Sequence, residues 1–468
     1  MTEQTAHAAP VVTHLSKAER ADRGRLARKK VPRAALGAWE PPAERADPVA
    51  LLREQETRRV PELVAVRHER MLVSAFTFYR GAAVIMASDL ATRPRTDLIV
   101  QCCGDAHLSN FGGFAAPDRQ MVFDLNDFDE TSRGPFEWDV KRLATSFEIA
   151  ARDRAFEPSV AHSIARHVAE YYRQTMAELA AMGNLDVWYA RIDADAVLDR
   201  WANRATTKEV KRFQREVAKA QSKDSLRAMN KLTERVDGEI RIANDHPLVV
   251  RLDDLARDEG MDKDTVATWV RERFRQYRYS LQPDRRHLLE GYEIVDLARK
   301  VVGVGSVGTR CWIAAMVGSD ETDPLFLQIK EAERSVLEAY AGKSDYASSG
   351  QRVVEGQRLL QASSDILLGW LRTPALDGVV RDYYVRQLWD GKLSPNLERM
   401  SPEVFTIYAE LCAWTLARGH ARSGDRVAIS SYLGTGQVFD QAIEEFATGY
   451  ADQNQRDYDA AKASLSSS

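Results

Sequence analysis

The spacing of apolar positions changes period several times along the chain. Between Arg59 and Ala91, Leu63, Val66, Met71, Leu72, Phe76 and Phe78 recur at helical intervals and predict packed helices. The run Leu98–Val100 then switches to a strand pattern, and LIVQCCGDAHLSNFGGF reads as strand, loop, strand. A further strand over Gln120–Leu125 leads into the acidic turn NDFDETSRGP, and helix resumes near Trp138. Residues 140–300 are rich in helix formers. From Lys300, VVGVGSVGTRCWIAAMVGSDETDPLFLQIK predicts two strands joined by a polar turn at Ser319–Pro324. A helix is expected over Gly350–Ala362, with short strands over Asp365–Leu371 and Asp382–Leu388. Val404, Ile407, Tyr408, Leu411 and Trp414 mark one face of a helix ending near Gly419. The polar tail after Gln455 is expected to fray, and no repeat of fixed period is evident.

Length and composition bound these elements. At 468 residues the chain can hold about three ordinary domains or one large two-lobed body, and 44% hydrophobic with 29% charged residues is a folding composition. Lys plus Arg at 65 against Asp plus Glu at 69 gives −4, which removes the bulk basic charge of a nonspecific nucleic-acid binder. Four cysteines, two of them the adjacent Cys102 and Cys103, make neither a disulfide framework nor a zinc spacing, so a reducing compartment is expected. No signal-peptide pattern or membrane-length apolar stretch is present, and the expected location is the cytoplasm. Residues 1–55, with Lys17, Arg20, Arg23, Arg25, Arg28, Lys29, Lys30 and Arg33 among Pro and Ala, read as a basic, partly disordered arm. The basic segment KEVKRFQREVAKAQSKDSLRAMNKL reads first as a solvated helical face, with a substrate-binding role as the alternative.

Three constellations carry candidate chemistry. In GDAHLSN, Asp105 can orient and deprotonate a hydroxyl while Asn110, five positions on, coordinates magnesium, the spacing of a kinase catalytic loop. The competing reading is an ordinary turn, for which Asp and Asn are common. In MVFDLNDFDE, Asp124 stands at the end of a strand where a carboxylate can hold a phosphate-bridging metal. Asp127 and Asp129 are rivals for that role, and strand length favours Asp124. In GVGSVG, residues Gly303, Val304, Gly305, Ser306, Val307 and Gly308 form a glycine-rich loop. A Rossmann loop would open a helix and be followed by an acid; here a strand follows, and the next strand ends on Lys330. A glycine-rich hairpin over phosphates with a lysine on the neighbouring strand is the kinase arrangement. Such a lysine needs a carboxylate from a nearby helix, for which Glu355 is the first choice and Glu338 the second.

Together these pieces resemble the protein-kinase-like superfamily. GDAHLSN is most similar to the catalytic loop of its aminoglycoside and choline phosphotransferase branch, with Cys103 where that branch has its first His and His107 matching the second. GPFEWDVKRLA is similar to the branch's DLA segment, which implies that Asp139 anchors the catalytic loop. RMLVSAFTFYRGAA, FDLNDFDET and KVVGVGSVGTR also resemble a bacterial family known only as a domain of unknown function, over nearly the whole chain from about residue 50.

The resemblance implies an α+β, two-lobed, protein-kinase-like fold. Because the glycine loop and Lys330 follow the catalytic loop instead of preceding it, the order implies circular permutation with an enlarged helical C-lobe. The expected parts are 56–297 as C-lobe with catalytic loop, metal turn and helical insert, 298–392 as N-lobe, and 393–468 as helices returning to the C-lobe. The helix ending near Gly419 would pack beside residues 98–110. Arg310 stands where kinases place an apolar residue over adenine, and Gln387 and Leu388 are the expected hinge contacts to the nucleotide.

The implied activity is ATP- and Mg²⁺-dependent transfer of the terminal phosphoryl group to a hydroxyl of an unidentified small molecule or protein. Asp105 orients the acceptor, Asn110 with Asp124 or Asp127 holds magnesium, and Lys330 braced by Glu355 holds phosphate. Alternatives are a nucleotide-binding pseudokinase scaffold, adenylyl transfer by the same fold, and a metal-dependent phosphohydrolase, for which the scattered histidines provide no cluster. Acceptor and oligomeric state are not legible.

Overall fold

In the computed structural model, residues 13–222, 225–388 and 391–465 are described. Helices and antiparallel strands segregate into an α+β arrangement. The larger part is helical and is organised around Phe136–Asp153, in which every residue from Phe136 to Ala151 is buried. A helix enclosed on all sides must pair its polar groups. Here Glu137 accepts from the Thr96 N–H, and Tyr79 Oη donates to the Arg142 carbonyl. Helices Pro158–Ala181, Pro402–Ser423 and Val438–Leu465 pack around it in one continuous core.

Both chain ends depart from expectation. The basic segment is no free arm from Ser16 onward. Ser16 closes a capping box on the helix Lys17–Lys30, whose Gly24 and Ala27 are buried against Arg426–Leu433. Residues 1–12 lie outside the described residues. The tail does not fray after Gln455 either: Val438–Leu465 continues as helix, burying Tyr458, Ala461 and Leu465. Those apolar residues sit at helical spacing among polar ones, so local polarity concealed a packed face.

The smaller part is a six-stranded antiparallel sheet in the order Gly369–Pro374, Val380–Gln387, Pro324–Glu331, Cys311–Val317, Glu293–Lys300, Val249–Arg251. The boundary expected at residue 298 therefore cuts through a strand, and Val249–Arg251 joins the sheet from within the segment read as helical. The strand expected over Asp365–Leu371 begins only at Gly369. Alternation along the strands sorts the two faces. Leu325 and Leu327 pack with Trp312, Ala314, Tyr277 and Leu281 beneath the helix Lys263–Ser280. Phe326, Gln328 and Lys330 point to the opposite face, toward the helical part. Helix Ser349–Leu360 crosses between the third strand from Glu293 and the fourth, and Arg352 pins it by donating to the carbonyls of Asp129, Thr131 and Glu333. Among the described residues no helix is long and apolar enough to cross a membrane.

Candidate functional site

The site lies where the sheet meets the helical part, and four chain segments converge on it. The first is the loop between strands Ile99–Cys102 and Phe111–Ala115. Asp139 fastens its start by accepting the N–H groups of Cys103 at 2.6 Å and Gly104 at 3.0 Å, and His420 lies 3.2 Å from the same carboxylate. Gly104 turns the chain at φ +84°, where a Cβ would meet the Glu130 carbonyl oxygen at 2.0 Å. From the helix Pro402–Ser423, Tyr408 Oη donates to the carbonyls of Leu108 and Phe111, and Ser423 Oγ accepts the Gln101 N–H.

Held this way, Asp105 faces Arg142, whose Nε donates to Oδ1 at 2.6 Å, and lies 3.8 Å from His107 Nε2. Burial pushes the Asp105 carboxyl up against the opposing pull of Arg142. His107 Nδ1 accepts the Ser109 N–H, which places its ring proton on Nε2, toward Asp105. Burial and the neighbouring Arg80 and Arg142 hold His107 neutral. Asn110 Nδ2 donates to the Asp105 carbonyl at 2.7 Å, which leaves Oδ1 as its remaining side-chain acceptor.

The second segment is the acidic turn. Asp124 is committed to structure: Oδ1 accepts from Arg418 at 2.5 Å, Oδ2 accepts the Ala362 N–H at 3.1 Å, and the residue is 2% exposed. The expectation that strand position selects Asp124 for metal is corrected, because a strand-end carboxylate inside the core must be paired. Asp127 and Asp129 instead open toward the sheet. Burial and the adjacent Asp129 charge push Asp127 up. Burial also opposes ionisation of Asp129, but Lys330 and the Tyr384 hydroxyl outweigh it and hold that carboxyl low.

Lys330 arrives from the third segment, the strand Pro324–Glu331, with Nζ 2.6 Å from Asp129 Oδ2 and 4.0 Å from Asp127 Oδ2. The expected helix carboxylate does not hold it. Glu355 pairs with Arg358 and Glu338 with Arg352. The helix turns Gln357 toward the cleft, and Glu355, two positions earlier, is rotated about 200° away. Lys330 is braced by Asp129.

The fourth segment is the glycine loop between strands Glu293–Lys300 and Cys311–Val317. Ser306 Oγ donates to Asp129 Oδ2 at 3.3 Å, and Gly305 lies against the Arg80 carbonyl, 3.1 Å from where a Cβ would stand. Val307 is turned away, buried with Val60 and Leu63. Gly308 accepts from the Val60 N–H and Gly303 from Arg70, so residues 59–70 strap the loop from outside. The backbone N–H groups of Gln387 and Leu388, expected to meet a nucleotide, are already donated to Asp365 Oδ2 and the Phe326 carbonyl, although both residues line the cleft.

Two cavities meet at Asp127, Gly303 and Ser306. One of 1230 Å³ is lined by Lys330, Gln328, Arg386, Gln387 and Leu388 among others. The other, 600 Å³, contains Asp105, His107, Asn110, Asp129 and Glu130. Arg386 donates to Gln328 Oε1 at 2.9 Å and to the Asn126 carbonyl. Arg142 and Gln328 escaped the sequence reading because no motif flags a lone polar residue whose partner is distant in the chain. Among the described residues no group of three or more His, Cys, Asp or Glu could hold a metal. Asp127 and Asn110 still fit magnesium: both offer hard oxygens, and the like charge of Asp129 beside Asp127 is relieved by a divalent cation.

In comparisons with known proteins, no curated protein and no solved structure matches the chain. Residues 59–463 match the family described as "Uncharacterized protein conserved in bacteria (DUF2252)", and the chain belongs to that family.

Proposed function

We propose that the protein is a kinase-like phosphotransferase that moves the terminal phosphoryl group of ATP to a hydroxyl. The observation that carries this reading is the meeting of Lys330 with Asp127 and Asp129 at the junction of two cavities, with Asp105 and Asn110 on the other side of the same junction. Strand order supports it. Counted from Glu293, the lysine lies on the third strand, the glycine loop joins the first two, and a helix separates the third from the fourth, as in the small lobe of a kinase. The order of the segments along the chain is then a circular permutation, since the same core can be cut at another surface connection.

In this mechanism the larger cavity takes the nucleotide and the smaller one the acceptor. The hydroxyl oxygen attacks the terminal phosphorus, the bond to the β,γ-bridging oxygen breaks, and ADP leaves. The hydroxyl proton passes to Asp105, whose carboxylate is oriented by Arg142 and His107. Lys330 and Ser306 present donors to the phosphate oxygens. Asp127 and Asn110 would hold magnesium, which supplies neutralisation of the phosphate charge.

The test is nucleotide binding and turnover with magnesium against a metabolite library, with Asp105→Asn alongside. The variant is expected to keep ATP affinity and lose roughly 10²- to 10⁴-fold in turnover. Loss of binding and turnover together counts against the role of Asp105. Stabilisation by ATP without consumption over hours identifies a nucleotide-binding scaffold instead.

A further inference from the structure

Helix Ala75–Gly81 ends beside the site on an arginine that has nothing to hold. A capping box at Ser74 starts the helix, and Phe76, Phe78 and Tyr79 bury its apolar side in the main core. Both residues flanking Arg80 are pinned. The Tyr79 carbonyl accepts from Arg142 Nη2 at 2.9 Å, and the Gly81 carbonyl accepts from Arg67 at 3.0 Å. The same Arg142 guanidinium donates through Nε to Asp105, while the Arg80 carbonyl backs Gly305. The backbone of Arg80 is thus fixed between the Asp105 loop and the glycine loop.

Its side chain is the exception in a closely paired neighbourhood. Asp105 has Arg142 and Asp129 has Lys330. Of the other cations lining the smaller cavity, Arg58 lies 4.0 Å from Glu333, Arg59 donates to the Val307 carbonyl, and Arg334 and Lys343 are exposed to water. Arg80 is half-buried and lines that cavity together with Asp105, His107 and Asp127. Among the described residues it makes no hydrogen bond or ion pair, and its Nε is buried without a partner. Its Cζ lies 5.8 Å from the centroid of the Phe76 ring, the outer limit of a cation–π contact. Burial opposes its charge, and the carboxylates of Asp105 and Asp127 sustain it. A guanidinium desolvated without acceptors destabilises a fold, and departures of this kind concentrate at functional sites. An oxyanion supplies the missing acceptors.

We propose that Arg80 grips the phosphoryl group while it is transferred. Two oxyanions could meet this residue, the moving phosphoryl group or an acidic group on the acceptor. Its place favours the first. The glycine loop lies against its backbone, and it shares the cavity with Asp105, which receives the hydroxyl proton, and Asp127, which would hold magnesium. Those two acids stand on either side of the phosphorus in transit. As the acceptor oxygen bonds to phosphorus and the bond to the β,γ-bridging oxygen breaks, the guanidinium donates to the equatorial oxygens, over which the transition-state charge is spread. Arg80 keeps its own protons, and the hydroxyl proton still passes to Asp105. Arg142 cannot take this part, because Asp105 and the Tyr79 carbonyl already occupy it. The inference rests on the nucleotide reading above and adds a catalytic residue to the same site.

The experiment compares the full-length parent with Arg80→Met and Arg80→Lys. Calorimetry measures the affinity for ADP and magnesium with and without aluminium fluoride, a mimic of the phosphoryl group in transit. ATP hydrolysis, with water as acceptor, and the thermal midpoint are measured beside it. The parent is expected to bind ADP roughly tenfold or more tightly when aluminium fluoride is present. Arg80→Met should remove most of that gain, keep ADP affinity within about threefold and lower hydrolysis roughly 10²- to 10³-fold. Its thermal midpoint should hold or rise, because a buried donor without a partner is gone. Arg80→Lys should recover only part of the gain, since one ammonium replaces a planar fork of donors. A gain and a hydrolysis rate that survive Arg80→Met overturn the proposal and assign Arg80 to an acidic group of the acceptor. A fall in midpoint or in ADP affinity that accounts for the lost hydrolysis makes the residue structural and also overturns it. If the parent binds ADP with neither gain nor hydrolysis, the proposal falls while nucleotide binding stands. If the parent does not bind ADP at all, the nucleotide reading falls and this proposal with it.

Discussion

Lys330 and Asp129, 201 positions apart in the chain, form an ion pair of 2.6 Å that ties the sheet to the acidic turn of the helical part. The lysine side chain is 3% exposed and the carboxylate 29%, so the pair is screened from water on one side only. Removing either partner alone strands a charge, and removing both does not. Unfolding of Lys330→Met, Asp129→Asn and the double variant in urea is expected to give a coupling energy of about 1–3 kcal/mol. Strictly additive effects would show that the pair contributes only geometry. Turnover by Lys330→Met should fall roughly 10²-fold or more, because a donor to the developing phosphate charge is lost.

The two candidate metal carboxylates should separate cleanly. Asp127→Asn is expected to raise the magnesium concentration needed for half-maximal turnover by about tenfold or more, with little change in thermal midpoint. Asp124→Asn should do the reverse. It leaves the Arg418 guanidinium, 1% exposed, without its counter-charge, at a cost of roughly 3–5 kcal/mol. Thermal unfolding and a magnesium titration on both variants decide it, and a magnesium shift in Asp124→Asn alone would reverse the assignment.

Gly104→Ala tests the turn that delivers Asp105. Two costs combine there, a positive φ of +84° and a Cβ 2.0 Å from the Glu130 carbonyl oxygen. Gly238 has φ +86° with nothing within 4 Å of a Cβ, so Gly238→Ala reports the backbone cost alone, about 1 kcal/mol. Gly104→Ala should exceed it by at least about 2 kcal/mol and abolish turnover. Equal losses in the two variants would mean that the loop yields freely.

Glu130 lines the smaller cavity with its carboxyl pushed up to about 7, chiefly by burial, with Asp105 and Asp129 adding to the shift and the Val336 N–H and Arg352 opposing it. An acid raised in the folded state keeps a proton there that the unfolded chain has released. Its contribution to stability is thus present below about pH 4.5 and is lost as the pH rises through about 7. Raised Asp105 and Asp127 act in the same direction. Glu130→Gln should flatten the decline between pH 5 and pH 8 by about 1–3 kcal/mol, measured as unfolding free energy in urea. An unchanged slope would assign the decline to the aspartates.

Local pattern located much of this protein. The alternation in Pro324–Glu331, the hydrophobic stripe of Pro402–Ser423 and the DxxxxN spacing of the Asp105 loop each depend on neighbours a few residues away, and such neighbours set backbone period and turn chemistry. The same local logic misread the ends. The helix after Gln455 and the helix Lys17–Lys30 look solvated until one sees what they pack on.

The identity of the lysine's partner was beyond such reasoning. Glu355 sits on a helix beside the right strand, and only its rotation about the helix axis, set by Arg352 reaching the carbonyls of the acidic turn, points it elsewhere. Asp124 and Asp127 differ by three positions, yet Arg418, far along the chain, takes the first and leaves the second to the cleft. Periods and caps are paid for residue by residue and can be read that way. Partnership between buried charges is settled by the whole packing, because each must be neutralised by whichever opposite group the completed fold brings within reach.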